Sequence, residues 1–199
     1  NDGKVFYKNA LPNEIPQMSV GLLLYESGSM CSCDRCTYAR SSAIILYDFC
    51  KALHIPVTVY GHSTSGSSVE LYSYAEFESI DNDDKYRMMD IAARGSNRDG
   101  AALRFVAEQL VKRPEEVKIL ILVSDGQPAA PGYYGSAAEE DLRGIKQEYR
   151  RKGVLFIAAA IGEDKQNIER IYGDSFMDIT DLNQLPVKLT AAVKRHMRV

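Results

Sequence analysis

The chain has 199 residues, is 45% hydrophobic and 26% charged, and carries a formal net charge of −3. This length allows one domain with a sizeable core, and the composition is that of a soluble globular chain. The charge gives no general pull toward nucleic acid or an anionic membrane, and no apolar stretch approaches the ~20 residues of a membrane span.

Residues 1–17 open with "NDGKVFYKNALPNE". They are polar and lack both an initiator Met and the charged-then-apolar order of a signal peptide. They read as an N-terminal extension, the chain as a module cut from a longer protein, and a reducing cytoplasm as the compartment of its four cysteines. "MSVGLLL", 18–24, is short, apolar and uninterrupted, as a strand covered on both faces should be. Residues 37–53 place Ala39, Ala43, Leu46, Phe49, Cys50 and Leu53 on one helical stripe. "IPVTVYG", 55–61, predicts a second strand, opened by Pro56 and closed by Gly61. "GHSTSGSS", 61–68, reads as a polar turn, and the alternating "SVELYSY", 68–74, as an antiparallel edge strand.

The charged segment 81–95 reads as a partly helical connector, and 99–113 as a helix with Asp99 at or near its N-cap. "VKILILVSDGQP", 117–128, predicts a strand running into an acidic turn. Residues 137–152 give an amphipathic helix through Ala138, Leu142, Ile145 and Tyr149, and "VLFIAAAIG", 154–162, another buried strand. A short helix (164–172), a short strand (175–179) and a final helix (181–196) complete the order. Helices alternating with buried apolar strands imply an α/β fold, with a mostly parallel sheet covered on both faces.

In such sheets ligands bind at the carboxyl ends of strands, where strand order reverses. The two most polar strand ends are 25–30 and 124–128. Ser27 and Ser29 are two apart in a turn, so both hydroxyls can face one point. Asp125 adds a carboxylate, and "RGSNRDG", 94–100, can bring a third loop through Asp99, Asn97 or Ser96. Hydroxyls and carboxylates are hard oxygen ligands, suited to Mg²⁺ or Mn²⁺.

The ordered set resembles a von Willebrand factor A (VWA) domain with its metal-ion-dependent adhesion site (MIDAS), which reads Asp-x-Ser-x-Ser, then Thr or Asp, then Asp-Gly. "ESGSM", "YGHS", "NRDGAALR", "ILVSDGQPAA" and "DLRGIKQEYRRKG" are similar to the C-terminal VWA modules of nitric oxide reductase activation proteins (NorD) and of the cobaltochelatase CobT subunit. The resemblance runs from about residue 18 to the end and makes 18–199 the VWA domain. It implies a Rossmann-like three-layer α/β/α fold with about six strands, one of them an antiparallel edge.

The resemblance also implies that Ser27, Ser29, Asp99 and Asp125 hold Mg²⁺ or Mn²⁺, whose open position takes an acidic side chain of a partner. It further implies work with a hexameric MoxR-type or chelatase-type AAA+ ATPase on a metalloenzyme client. The first acid of the motif falls on Tyr25, a departure. In the family that acid orients the serines and metal-bound waters. Its loss predicts metal affinity lowered by ~10–100-fold. Glu26 is adjacent, but neighbouring strand positions point to opposite faces.

Other readings compete. Ser27-Gly28-Ser29 can be only a turn, and a metal-independent interaction module is the alternative function. A serine hydrolase would need a base, for which His62 is the candidate, yet G-x-S-x-G, G-x-G-x-x-G and P-loop motifs are all missing from the sequence. Cys31, Cys33 and Cys36 form C-x-C-x₂-C, which His62 could complete as a zinc or iron–sulfur site, while Cys50 reads as core. His62 otherwise reads as a loop histidine. Tyr133 and Tyr134 form either an exposed contact patch or a cover over the crevice. With Glu26 and His62 they are the residues expected to touch a partner.

Overall fold

A computed structural model describes residues 17–32, 34–79, 81–124, 126, 128–161, 165–179 and, further on, 181, 184, 187, 188, 190 and 191. The order is β1 (Met18–Tyr25), a 3-10 turn (Gly28–Cys31), α1 (Arg35–Ala52), β2 (Val57–Ser65), β3 (Ser68–Ala75), α2 (Asp84–Met88) and α3 (Asp99–Val111). Then come β4 (Val117–Ser124), β5 (Ala129–Ala130), β6 (Tyr133–Tyr134), α4 (Gly135–Arg151), β7 (Val154–Ala160), α5 (Lys165–Tyr172), a 3-10 turn (Gly173–Ser175) and β8 (Phe176–Asp178). Six strands form one sheet in the order β3-β2-β1-β4-β7-β8. All neighbours are parallel except β2 and β3, whose pairing makes the antiparallel edge. β5 and β6 form a separate small hairpin.

The pleat sorts the apolar runs onto two faces. Val20, Leu22 and Leu24 of β1 join Ile119, Ile121 and Val123 of β4 under Ala39, Ala43, Leu46 and Cys50 of α1. Leu23, Leu120, Leu122 and Phe156 face Leu103, Val106 and Leu110 of α3, with Leu142, Ile145 and Tyr149 of α4. This two-sided burial is why the β1 and β4 sequences are continuous rather than alternating. Gly21 lets α3 approach, since a Cβ there would lie 2.8 Å from Val106 Cγ1.

The structure changes several boundaries. β2 does not stop at Gly61 but runs to Ser65, so the expected turn shrinks to the two residues 66–67. His62, Ser63 and Thr64 are strand residues paired with Leu71, Glu70 and Val69 of β3. α1 ends one residue before Leu53, which is exposed. His54 takes the left-handed conformation (φ 55°) there. Ile55 N–H then donates to Cys50 O at 2.8 Å and His54 N–H to Lys51 O at 3.1 Å, a Schellman closure that takes the chain off the stripe. Most of the expected helix 181–196, the extension before residue 17, Cys33, Gly162 and Asp125 lie outside the described residues.

Candidate functional site

β1 lies between β2 and β4, where strand order reverses, and its carboxyl end carries the Ser-Gly-Ser turn. Leu24 is paired with Val123 of β4 and Tyr25 with His62 of β2. Past Tyr25 the chain makes one more bond to β2, Glu26 N–H to His62 O at 3.0 Å, and then turns. The turn brings Ser27 Oγ within 2.5 Å of Ser29 Oγ. Ser27 is buried and Ser29 exposed, so the hydroxyl pair stands at the mouth of the sheet edge.

A short strap, residues 94–97, holds the second loop against this end. Gly28 N–H donates to Gly95 O at 2.8 Å and Arg94 N–H to Glu26 O at 3.0 Å. Thr64 and Ser96 exchange backbone bonds of 2.8 and 3.1 Å, and Asn97 Oδ1 accepts from Ala129 N–H at 3.2 Å. One segment therefore ties the ends of β1 and β2 to the loop after β4. Gly95 is required for the fit, because a Cβ there would lie 2.5 Å from Thr64 O.

Glu26, expected among the partner contacts, turns inward instead. It is 1% exposed and points to the side away from His62, into space left by Gly61. Tyr74 OH donates to Oε1 at 2.7 Å, Arg94 Nε to Oε2 at 2.7 Å and Ala92 N–H to Oε2 at 3.4 Å. Burial raises its pKa, against those three donors. The Arg94 guanidinium also lies 3.9 Å from the centroid of the Tyr72 ring, so it is held from two sides.

Tyr25, His62 and Asp99 meet at the carboxyl ends of β1 and β2, with Tyr25 also packed into the α1-side core. Tyr25 is 2% exposed and its ring meets the His62 ring edge-on, with centroids 5.6 Å apart. Asp99 is the first residue of α3, directly after its cap, Arg98. An acid in a first helical turn complements the helix dipole. Asp99 is 3% exposed, and its Oδ1 lies 3.4 Å from His62 Nε2. His62, expected to touch a partner from a loop, is instead 0% exposed within a strand. Burial pushes its pKa down to about 4, so the ring is neutral at pH 7.

The two tyrosines of 133–134 diverge. Tyr133 is half-buried, donates its OH to Asp141 Oδ2 at 2.7 Å and lies under Arg98, while Tyr134 is 69% exposed. Cys50 is core, Cys31 is exposed and Cys36 half-buried, all three as free thiols. Among the described residues no three or more His, Cys, Asp or Glu side chains gather in a way that could hold a metal, so Cys31, Cys36 and His62 form no cluster.

The described donors are the Ser27 and Ser29 hydroxyls, which meet each other, and the buried Asp99 carboxylate beside His62, each a hard oxygen of the kind a small divalent cation takes. Asp125, the expected further acid, lies outside the described residues. Sequence reasoning missed Arg94, Tyr74 and Gly95. The one signal it held was Gly61, a glycine in a strand, which marks close approach of another group.

A sequence model of the cobalamin biosynthesis protein CobT VWA domain matches residues 86–197, more than half of the chain. The match takes in Asp99 and Asp125 and begins after the serine turn. The YojO protein of Bacillus subtilis is 25% identical over 96% of this chain and 32% of its own length. The NorD protein of Brucella suis is 34% identical over 47% of this chain and 15% of its own. The chain thus spans a third or less of these relatives. A von Willebrand factor type A structure from Catenulispora acidiphila superposes with a TM-score of 0.59, at 18% identity, over 85% of this chain and 40% of that one. Together with the six-stranded sheet and its single antiparallel edge, these matches show that the chain belongs to the VWA domains, in the CobT family and related to NorD.

Proposed function

We propose that this domain is a non-catalytic docking module whose crevice of Ser27, Ser29, Asp99 and Asp125 holds a divalent cation, Mg²⁺ or Mn²⁺. The observation that carries the reading is the pair of hydroxyls turned to one point, 2.5 Å apart, at the switch point of the sheet. A bound cation supplies an electrophilic position for a carboxylate of the partner. The chain's own part is to hold the oxygen donors still, which the strap does with backbone bonds. Membership in a family with CobT and NorD supports a cytoplasmic role beside a MoxR-like or chelatase-type AAA+ ATPase, in activating a metalloenzyme or inserting its metal. No described helix is long and apolar enough to cross a membrane.

A hydrolase reading lacks its base, because neither nitrogen of His62 makes a hydrogen bond, to a serine or to anything else among the described residues. A metal-independent docking module is the second reading. It is favoured by the buried phenol of Tyr25 at the place of the first acid.

Titrating Mg²⁺ and Mn²⁺ into this chain and into Tyr25→Asp, followed by heat and melting temperature, separates the two readings. A cation that binds the folded form raises stability. We expect Tyr25→Asp to bind ~10–100-fold more tightly than the parent chain. Binding by Tyr25→Asp alone leaves the metal-free reading for this chain. Binding by neither removes the metal site.

A further inference from the structure

His62 is a buried imidazole in want of a ligand. It is fully enclosed, yet neither Nδ1 nor Nε2 has a hydrogen-bond partner among the described residues. Buried polar side-chain atoms in folded proteins are nearly always satisfied, and each exception calls for an explanation.

Its position supplies one. Residues in register on parallel strands point to the same face, so His62 stands beside Tyr25, where the family motif has its first acid. On its other side, Nε2 lies 3.4 Å from Asp99 Oδ1 without hydrogen-bond alignment. That spacing has a second meaning. An ion seated between the two atoms would take one nitrogen and one oxygen donor, a mixed pair that suits zinc, whereas Mg²⁺ selects oxygen over nitrogen.

Resting on the metal-site reading above, we propose that His62 Nε2 is itself a ligand of the cation, next to Asp99. The lost acid at position 25 is thereby offset from the neighbouring strand by a nitrogen donor, and the site prefers Zn²⁺ to Mg²⁺. The serine hydroxyls keep their place as oxygen donors.

The chain has three histidines, so ¹⁵N-histidine labelling resolves each ring. The test adds Zn²⁺, and separately Mg²⁺, to the labelled domain and reads the ring nitrogens by long-range ¹H–¹⁵N spectra. The expected result is a shift of His62 Nε2 with Zn²⁺ at one equivalent, with His54 and His196 unmoved. In parallel, His62→Gln should lower Zn²⁺ affinity by at least ~100-fold, beyond what loss of an outer-shell contact costs. The spectra need no variant, so a misfolded His62→Gln does not blunt the test. Zn²⁺ binding that leaves the His62 ring unmoved, as an ion held by Cys31 and Cys36 would, overturns the assignment while the oxygen site stands. Failure of every cation to bind both this chain and Tyr25→Asp removes the metal-site reading itself.

Discussion

At position 61 only a glycine leaves room for Glu26. A Cβ there would lie 1.7 Å from Glu26 Oε1 and 2.9 Å from Tyr74 Cε2. The carboxylate cannot simply swing away, because Tyr74, Arg94 and Ala92 hold it. Gly61→Ala should therefore lower stability by ~1–3 kcal/mol, the usual cost of overpacking, with a further loss if the Arg94 bond breaks. Urea unfolding of the two chains measures it, and an unchanged midpoint would sink the claim that this niche fixes Glu26. The same residue shows why adjacency misleads at a strand end. Glu26 follows Tyr25 directly, yet the pleat sends one toward Gly61 and the other toward His62. The expectation that Glu26 faces away from the metal side was readable from the strand period. Its burial was not, because Tyr74 and Arg94 lie 48 and 68 residues away in sequence.

The order of elements was legible because both cores sit on strands with continuous apolar runs and helices with clear stripes. Reading failed at β2, where Gly61-His62-Ser63-Thr64 looks like a turn by composition. Those residues are polar because that end of the strand pairs with the strap, not because the chain bends there. The serine turn was legible as a local motif, whereas the His62–Asp99 approach is a contact between β2 and α3 that no local pattern encodes. A contact between elements also sets an acid limit on stability. Lys146 of α4 donates to Asp174 Oδ1 at 2.8 Å and to Tyr172 O at 2.6 Å, and Arg150 donates to Asp174 Oδ2 at 3.0 Å. These bonds tie α4 to the turn after α5, and they lower the Asp174 pKa from 3.8 to about 2, Lys146 most of all. A lowered folded-state pKa means stability that is present above pH ~3.8 and is lost as pH falls toward 2. Asp174 is more than half exposed, so the contribution should stay below ~1 kcal/mol after solvent screening. Melting curves of Asp174→Asn and the parent chain should differ at pH 6 and converge as the pH falls through 2. A gap that persists undiminished below pH 2 would mean the aspartate acts through packing instead.

At the scale of the whole molecule, two cores share one sheet. β1 gives Leu24 to the α1 side and Leu23 to the α3 side, and both side chains are fully buried. β4 divides in the same way through Val123 and Leu122. Neither core can persist without these two strands, since each strand's hydrogen-bonded position is the wall of both. The proposed metal-site donors hang from the same framework: the serines follow β1, Asp99 opens α3, and the strap crosses between strand ends. Leu24→Ala and Leu23→Ala should each cost ~2–5 kcal/mol, a large share of the ~5–15 kcal/mol that holds a domain folded. If the cores are one cooperative unit, each variant loses near-ultraviolet and far-ultraviolet circular dichroism in a single shared transition. Both should also weaken cation binding in proportion to the fraction unfolded and no further. A two-step melt in Leu24→Ala, with the α3-side core surviving the first step, would show instead that the faces are separable. The docking site would then depend on the α3 side alone.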